Sequence, residues 1–188
     1  ELSSDYITEG HALKGVLKAD MENIRSTMEK IDYNTFEDVV NNIFAAKRIY
    51  IIGLRSSMAL AEFLGFYLNI ILQNVKTVGY GISDIFEQMI NVGEGDLVIG
   101  IGFPRYASRT IDALAFAQDR GATVVAVTDS FLSPLAARAD YSLIAQSNMA
   151  SFVDSLVAPL SVINALIIAV GMREKENISS TFNSLEEI

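Results

Sequence analysis

The first forty-six residues carry a helical pattern of hydrophobic positions. Leucine, methionine and isoleucine recur there at steps of three and four residues, with charged residues between them. These positions are Leu13, Leu17, Met21, Ile24, Met28 and Ile31. Such spacing puts the apolar side chains on one stripe of a helix. We predict a helical arm over residues 1–46, in which Asn34 or Thr35 caps a second helix that runs to about Ala46.

From residue 47 onward, short continuous apolar runs alternate with helical patterns. The runs predict strands at Lys47–Gly53, Asn74–Gly79, Leu97–Ile101, Ala122–Val127 and Tyr141–Ala145. Helices are predicted at Met58–Leu72, Ser83–Ile90, Ser108–Arg120 and Met149–Met172, with a further helix start at Ser133-Pro134 and a kink at Pro159. Continuous apolar strands that alternate with helices are typical of a parallel sheet covered on both faces. We predict an α/β fold, a three-layer α/β/α sandwich with a five-stranded parallel sheet, for which the usual strand order is the flavodoxin-like 2-1-3-4-5.

The domain organisation follows from these patterns. Residues 47–172 form the predicted domain, after the arm of residues 1–46, and a polar tail follows over residues 173–188, with one helix turn expected around Leu185. The apolar stretch from Leu156 to Val170 is shorter than the ~20 residues that span a membrane. We therefore interpret it as a buried or interface helix.

Charge and composition exclude several classes of function. The net charge is −9 and the sequence pI is about 4.6, so phosphate backbones should repel this chain unless another segment supplies Lys and Arg. There is no Cys, and the single histidine, His11, lies in the arm. Thiolate or histidine metal sites and His-dependent triads are therefore not expected, and we expect neither a metal nor a cofactor. No signal peptide pattern is visible, so we expect a cytoplasmic location.

Candidate chemistry lies in the loops at the carboxyl ends of the predicted strands, where ligands of such sheets bind. The first strand stops at Gly53, and Arg55, Ser56 and Ser57 lead into a helix, whose free N–H groups favour anions; an ordinary serine cap is the alternative. If the first and third strands are neighbours, Arg55 and Arg105 face one crevice and suit an anionic, hydroxyl-rich small molecule. The complete set of candidate ligand-binding residues is Gly53, Arg55, Ser56, Ser57, Gly102, Arg105, Tyr106, Ser108, Thr128 and Asp129. We interpret Arg109 as a surface charge that balances Asp112 and Asp119.

Nucleotide motifs are absent from this sequence. The first loop is not G-x-G-x-x-G, because Arg55 holds the place of the second glycine, and no GxxxxGK[ST] occurs.

The ordered loop segments resemble the sugar isomerase (SIS) domain, and more closely the effector domain of RpiR-type bacterial transcription regulators. The matching segments are Lys47–Gly53 with Ser56-Ser57, Gly95–Ile101 with Phe103–Tyr106 and Arg109-Thr110, and Val125–Ser130 with Ser133–Ala136 and Ala139-Asp140. The match covers roughly residues 45 to 172, and the helical arm before it looks like the linker that follows the helix-turn-helix in that family. The resemblance implies a domain that senses a sugar phosphate and alters how a fused helix-turn-helix grips DNA. No helix-turn-helix is visible here, and we expect the DNA-binding part to be missing from this chain.

The sequence departs from the phosphate loops of that family. They commonly read Ser-x-Ser-Gly-x-Thr after the third strand, where this chain has Gly102, Pro104, Arg105 and Ala107. Arg55 stands where a glycine is common, and Ser57 matches the phosphate-contacting serine, with Ser56 as an adjacent candidate. We therefore expect anion binding with a different geometry, for a ligand that carries a carboxylate as well as, or instead of, a phosphate.

Two other functions stay open at this point. A phosphosugar aldose–ketose isomerase on the same fold needs a base beside the carbonyl; Glu62 and Glu87 are the nearest carboxylate candidates, and His11 is remote in sequence. An assembly module without a working pocket is the third possibility.

The apolar surfaces of the chain predict partners. The stripe from Leu13 to Ile31 and the helix from Leu156 to Val170 are more apolar than one domain needs to bury. We predict a symmetric homodimer or a tetramer that involves the arm helices, with a small anionic sugar metabolite as ligand, no membrane partner, and DNA contacted only through the missing helix-turn-helix.

Overall fold

The central sheet contains five parallel strands in the order β2-β1-β3-β4-β5. The computed structural model describes residues 9–175. Its strands are β1 (Ile49–Gly53), β2 (Val75–Val78), β3 (Leu97–Ile101), β4 (Thr123–Thr128) and β5 (Tyr141–Ile144). Its helices are α1 (Ala12–Lys30), α2 (Tyr33–Ala45), α3 (Ser57–Leu72), α4 (Ile85–Gln88), α5 (Ser108–Asp119) and α6 (Val157–Arg173), with 3₁₀ turns at Glu9–His11 and Ala136–Arg138. This arrangement confirms the predicted five-stranded parallel sheet, and its strand order is the usual one for such sheets. The helix turn expected at Leu185 lies outside the described residues.

Two hydrophobic cores hold the three layers together. On one face of the sheet, α2, α3 and α6 pack on alternate strand residues such as Ile49 and Ile51. On the other face, α4 and α5 pack on Tyr50 and Ile52. Burial of each large aliphatic side chain in such cores stabilises the fold by about 1.5–3 kcal/mol. Because helices cover both faces of the sheet, all five residues of β1 are buried although their side chains alternate between the faces.

The first and third strands are fastened at both ends. At the start of the strands, the buried carboxylate of Asp96 accepts two hydrogen bonds from the Arg48 guanidinium, from Nε at 3.0 Å and from Nη2 at 2.7 Å, and one from the backbone N–H of Gly93 at 3.0 Å. At their carboxyl ends, Gly53 lies opposite Ile101. The loops that follow β1 and β3 therefore leave the sheet side by side.

The helix α6 begins at Val157, so the prediction that it starts at Met149 is wrong. Polar groups of the preceding segment bond to α1 instead of forming helical bonds with one another: the Asn148 backbone contacts the side chain of Asn23, and Ser155 donates to Asp20. Pro159 is the third residue of α6, where its missing N–H has no intrahelical partner to lose. The predicted kink is therefore not needed.

Two other boundaries differ from the sequence predictions. The N-cap of α2 is Asp32, whose carboxylate accepts hydrogen bonds from the backbone N–H groups of Asn34 and Thr35. At Ser133-Pro134, the Ser133 hydroxyl accepts from the Ala136 backbone N–H at 3.1 Å as a cap does, but only a 3₁₀ turn follows, since β5 begins five residues after that nitrogen.

The apolar stripe of α1 faces outward in the single protomer. Leu13, Met21 and Met28 are 76%, 70% and 60% exposed. The buried residues of α1 are instead polar, namely Asn23 and Thr27. In the part of the chain that the structure describes, no helix is both long and apolar enough to cross a bilayer.

Candidate functional site

A small crevice lies between the loops that follow β1 and β3, where α3 and α5 begin. Its volume is about 140 Å³. Pockets for drug-sized ligands usually reach roughly 300–1,000 Å³, so this crevice suits the charged end of a ligand. Its lining residues are Leu54, Arg55, Ser56, Ser57, Ile101, Gly102, Phe103, Pro104, Arg105, Ala107, Thr110 and Asp154.

Arg55 and Arg105 both have a left-handed backbone, with φ of 59° and 64°. A residue with a Cβ pays about 1–2 kcal/mol for this conformation, and glycine is the residue that normally adopts it. By the sequence resemblance described above, these same two positions are places where the resembled loops commonly have glycine. Each turn therefore combines a backbone conformation typical of glycine with a guanidinium side chain.

The side chains of both arginines are held at the crevice. Arg55 Nη1 donates to the backbone carbonyl of Arg105 at 3.0 Å. Arg105 Nη2 lies 3.4 Å from Asp154 Oδ1, and the hydroxyl of Ser56 donates to Asp154 Oδ2 at 2.8 Å. The Arg105 side chain remains 61% exposed, so its guanidinium keeps free donor capacity for an incoming anion.

Thr110 is a lining residue that sequence reasoning missed. It sits in the first turn of α5, is 1% exposed, and its hydroxyl has no hydrogen-bond partner. A buried hydroxyl without a partner is costly, and this one lies among the crevice-lining groups beside the free N–H groups of a helix start. The signal in the sequence was a Thr two residues after Ser108, the start of the predicted helix.

The turn after β1 brings the start of α3 close to the strand end. A Cβ on Gly53 would lie 2.7 Å from the backbone oxygen of Ser57, so only glycine fits there. Ser57 itself is 4% exposed and lines the crevice, whereas Gly53 shapes it from behind without lining it.

Other predicted site residues lie outside the crevice lining. Tyr106 donates its hydroxyl to Asp129 Oδ1 at 2.6 Å, and Thr128 donates to the same oxygen at 3.3 Å. Burial raises the pKa of the Tyr106 phenol, and the hydrogen bond to Asp129 raises it further, so the phenol is the donor. These three residues tie the loop after β3 to the loop after β4, while Ser108 lies exposed at the first position of α5.

Arg109 is also outside the crevice. Its guanidinium pairs with Asp84 and stacks on Phe86, with the guanidinium carbon 5.5 Å from the ring centroid. The expectation of a surface charge is retained, but its partner is Asp84 rather than Asp112 or Asp119.

The carboxylates considered for isomerase chemistry lie elsewhere. Glu62 is exposed on α3, and Glu87 Oε2 accepts from the Asp84 backbone N–H in a helix cap. Among the lining residues of the crevice, Asp154 is the one that carries a carboxylate. In the described range 9–175, no three His, Cys, Asp or Glu side chains cluster in a way that would hold a metal ion.

Comparisons with known proteins place the crevice within a known type of domain. A family model described as "SIS domain" matches residues 42–169. An "Uncharacterized HTH-type transcriptional regulator" of Haemophilus influenzae is 28% identical over 182 residues, 95% of this chain and 62% of the relative's length. Another from Caldanaerobacter subterraneus is 29% identical over 103 residues, 53% of this chain and 36% of that protein. The chain thus spans less than two thirds of either relative.

Two solved structures share the fold. The sugar isomerase domain of an RpiR transcription factor from Sphaerobacter thermophilus superposes with a TM-score of 0.89 at 30% identity, covering 95% of this chain and 99% of that one. The NanR protein of Vibrio vulnificus, solved with ManNAc-6P, gives a TM-score of 0.78 at 20% identity over 95% of this chain and 69% of that one. The second likeness concerns the fold alone.

Proposed function

The chain belongs to the SIS-domain family, and we propose from this premise that it is the ligand-sensing domain of an RpiR-type transcriptional regulator that binds a phosphosugar or an acidic sugar derivative. The similarity to the Sphaerobacter thermophilus domain over nearly its full length supports the regulator class. The relatives described as HTH-type regulators support it as well. In such a regulator, a helix-turn-helix would contact DNA and the whole protein would act in the cytoplasm.

The observation that carries the proposal is the composition of the crevice. Two arginines stand in backbone conformations that favour glycine, at the ends of adjacent strands. An unpartnered buried hydroxyl, that of Thr110 in the first turn of α5, lines the same crevice. Guanidinium groups, hydroxyls and helix N–H groups are the donors that bind phosphate and carboxylate.

The ligand class follows from those donors. Guanidinium forks bind phosphate and carboxylate in a bidentate way, and the volume of about 140 Å³ suits an anionic head group with the sugar ring extending outward. The ManNAc-6P bound by the Vibrio vulnificus neighbour is therefore a rational first probe. A sugar acid tests whether a carboxylate replaces the phosphate.

Calorimetric titration tests the proposal. The panel contains ManNAc-6P, glucose 6-phosphate, gluconate, and the neutral sugars ManNAc and glucose. Binding of at least one anionic compound, with weakening by Arg55→Ala, is the expected result. If the neutral sugars bind as well as the acidic ones, the proposal is wrong.

A sensing role is favoured over isomerase chemistry by the surroundings of the crevice carboxylate. Asp154 is paired with Arg105 and accepts a hydrogen bond from Ser56, so both of its oxygens already contact donors of the chain itself. Incubation with aldose phosphates and detection of ketose products separates the two functions. Turnover at ordinary enzyme rates would establish the isomerase instead.

A homodimer or tetramer built on α1 completes the proposal. The exposed stripe defined by Leu13, Leu17, Met21, Ile24 and Met28 supports a second copy as its partner, since these large apolar residues line up on one helix. The arm would then join the sensing domain to the DNA-binding part of each subunit.

A further inference from the structure

Asp154 presents a negative charge to the groups that make the crevice suitable for an anion. Its two carboxylate oxygens lie 3.4 Å from Arg105 Nη2 and 2.8 Å from the hydroxyl of Ser56. The side chain is 21% exposed and lines the crevice. The carboxylate of the chain itself therefore uses one guanidinium and one hydroxyl that a ligand would need.

A bound anion and this carboxylate would repel each other. Two like charges a few ångströms apart in a partly desolvated site interact more strongly than in bulk water. A phosphate that takes the donors of Arg105 and Ser56 leaves Asp154 without partners beside a like charge. This repulsion favours a position of the Asp154 carboxylate farther from the bound anion.

The segment that carries Asp154 is also bonded to the arm helix α1. Ser155, the next residue, donates its hydroxyl to Asp20 Oδ1 at 2.7 Å. Asn148 and Asn23 exchange two hydrogen bonds, at 3.0 and 3.2 Å. The Gln146 N–H donates to the Thr27 hydroxyl at 2.8 Å.

The middle of this segment is weakly anchored. Phe152 and Val153 are 81% and 61% exposed, so few apolar contacts hold the chain between Asn148 and Asp154. Segments with little buried apolar surface open at low free-energy cost. A shift of Asp154 can therefore occur without unpacking either core.

We propose that Asp154 is an internal competitor for the anion site, and that an anionic ligand displaces it and so loosens the Ser155–Asp20 and neighbouring bonds to α1. The proposal rests on the anion-binding role given above. It makes residues 146–155 the connection between the crevice and the arm. By linkage, a change that loosens this segment also tightens ligand binding.

Two variants test the competition and the connection separately. Asp154→Asn removes the charge but keeps an amide oxygen for Ser56, and Ser155→Ala cuts a bond to α1 without altering the crevice lining. Glu37→Gln is the control, because it removes one negative charge from a surface pair, with Arg173 at 2.9 Å, that lies on α2. Each protein is titrated with inorganic phosphate and with ManNAc-6P.

The expected result is tighter anion binding by both Asp154→Asn and Ser155→Ala. Asp154→Asn should bind phosphate roughly tenfold more tightly than the wild type, and Ser155→Ala about fivefold, within the range of ordinary coupling factors. Glu37→Gln should match the wild type. In hydrogen–deuterium exchange, the ligand should speed exchange of wild-type amides in residues 20–27, and Asp154→Asn should show that faster exchange without ligand.

The outcomes distinguish this inference from the proposed function. If the wild type binds the anions but Asp154→Asn binds them no more tightly, Asp154 is a ligand contact or a structural ion pair and the inference is overturned while the sensing role stands. Unchanged affinity and unchanged α1 exchange in Ser155→Ala also overturn it. If the wild type and both variants bind nothing, the sensing role itself fails, and the inference fails with it.

Discussion

The guanidinium of Arg55 donates a hydrogen bond to the backbone carbonyl of Arg105, joining two turns that both hold an arginine in the left-handed conformation. One turn ends β1 and the other follows β3, and the strands are adjacent. The backbone of Arg105 therefore fixes the position of the Arg55 guanidinium. Both turns accept a conformational cost that glycine would avoid.

Replacement of Arg55 by glycine should separate stability from binding. Arg55→Gly and Arg55→Ala both remove the guanidinium, so each should weaken ManNAc-6P binding by about tenfold, the worth of a charged hydrogen bond. Arg55→Gly should be more stable than Arg55→Ala by about 0.5–1 kcal/mol, because it relieves the left-handed strain at some entropic cost. Urea unfolding and calorimetry measure the two effects. Equal stability of the two variants would contradict the strain argument.

Thr110→Val should stabilise the protein and weaken ligand binding. Valine has nearly the shape of threonine, and the lost hydroxyl is buried without a partner, so the free energy of unfolding should rise by about 1 kcal/mol. Thr110→Ser keeps the hydroxyl and is the control for binding. A Thr110→Val protein that binds anionic sugars as tightly as the wild type would show that this hydroxyl does not contact the ligand.

Asp96→Ala should be strongly destabilising. The Asp96 side chain is fully buried and accepts two hydrogen bonds from Arg48 and one from the Gly93 N–H, all of which the substitution removes. The half-exposed Arg48 can regain water, so we expect a loss of about 2–3 kcal/mol rather than the larger cost of an orphaned buried charge. Urea denaturation measures it, with the exposed Asp112→Asn as a control expected within about 0.5 kcal/mol of the wild type. A loss no greater than that of the control would refute the role of this ion pair in fastening β1 to β3.

Gly65→Ala should destabilise the packing of α3 on β2. The new Cβ would lie 2.0 Å from Thr77 Oγ1, and overpacking of this kind costs about 1–3 kcal/mol. The double variant Gly65→Ala with Thr77→Ala removes the clashing atom and should recover most of the loss. A double-mutant cycle of thermal melts reads the coupling, and simple additivity would argue against a steric cause.

Charges on the α1 stripe should disrupt assembly. Leu17→Glu with Met21→Glu adds two negative charges to the stripe, and Lys18→Glu changes the charge of the same helix by the same amount from an exposed position. Light scattering should show oligomers for the wild type and the control, and monomers for the double variant. A monomeric wild type would rule out the proposed assembly.

The fold was predictable because the spacing of hydrophobic residues along the chain distinguishes the buried strands from the helices. The strand β3 was predicted to the residue, and the five apolar runs led to a parallel sheet with the usual order. The start of α6 was not predictable in this way. Residues 149–156 continue an apolar, helix-compatible pattern, and only the tertiary bonds of Asn148 and Ser155 to α1 show that the chain is irregular there.

The candidate site was predictable in position but not in detail. Arg55, Ser56, Ser57, Gly102 and Arg105 lie at the crevice because strand ends in such sheets converge. Thr110 and Asp154 could not be assigned from spacing, since one depends on a missing hydrogen bond and the other comes from a segment about fifty residues away in the chain. Tyr106 donates a hydrogen bond to Asp129 and does not line the crevice, because a buried phenol needs an acceptor.

The inner face of α1 is bonded to residues 146–155 through amide, hydroxyl and carboxylate groups. Directional bonds of this kind are exchanged one for one with water when they break, at a small net cost for each. Separating α1 from residues 146–155 therefore breaks a few such bonds and uncovers mainly polar side chains. In the proposed sensor, moving a helix that is attached in this way would use little of the ligand's binding free energy.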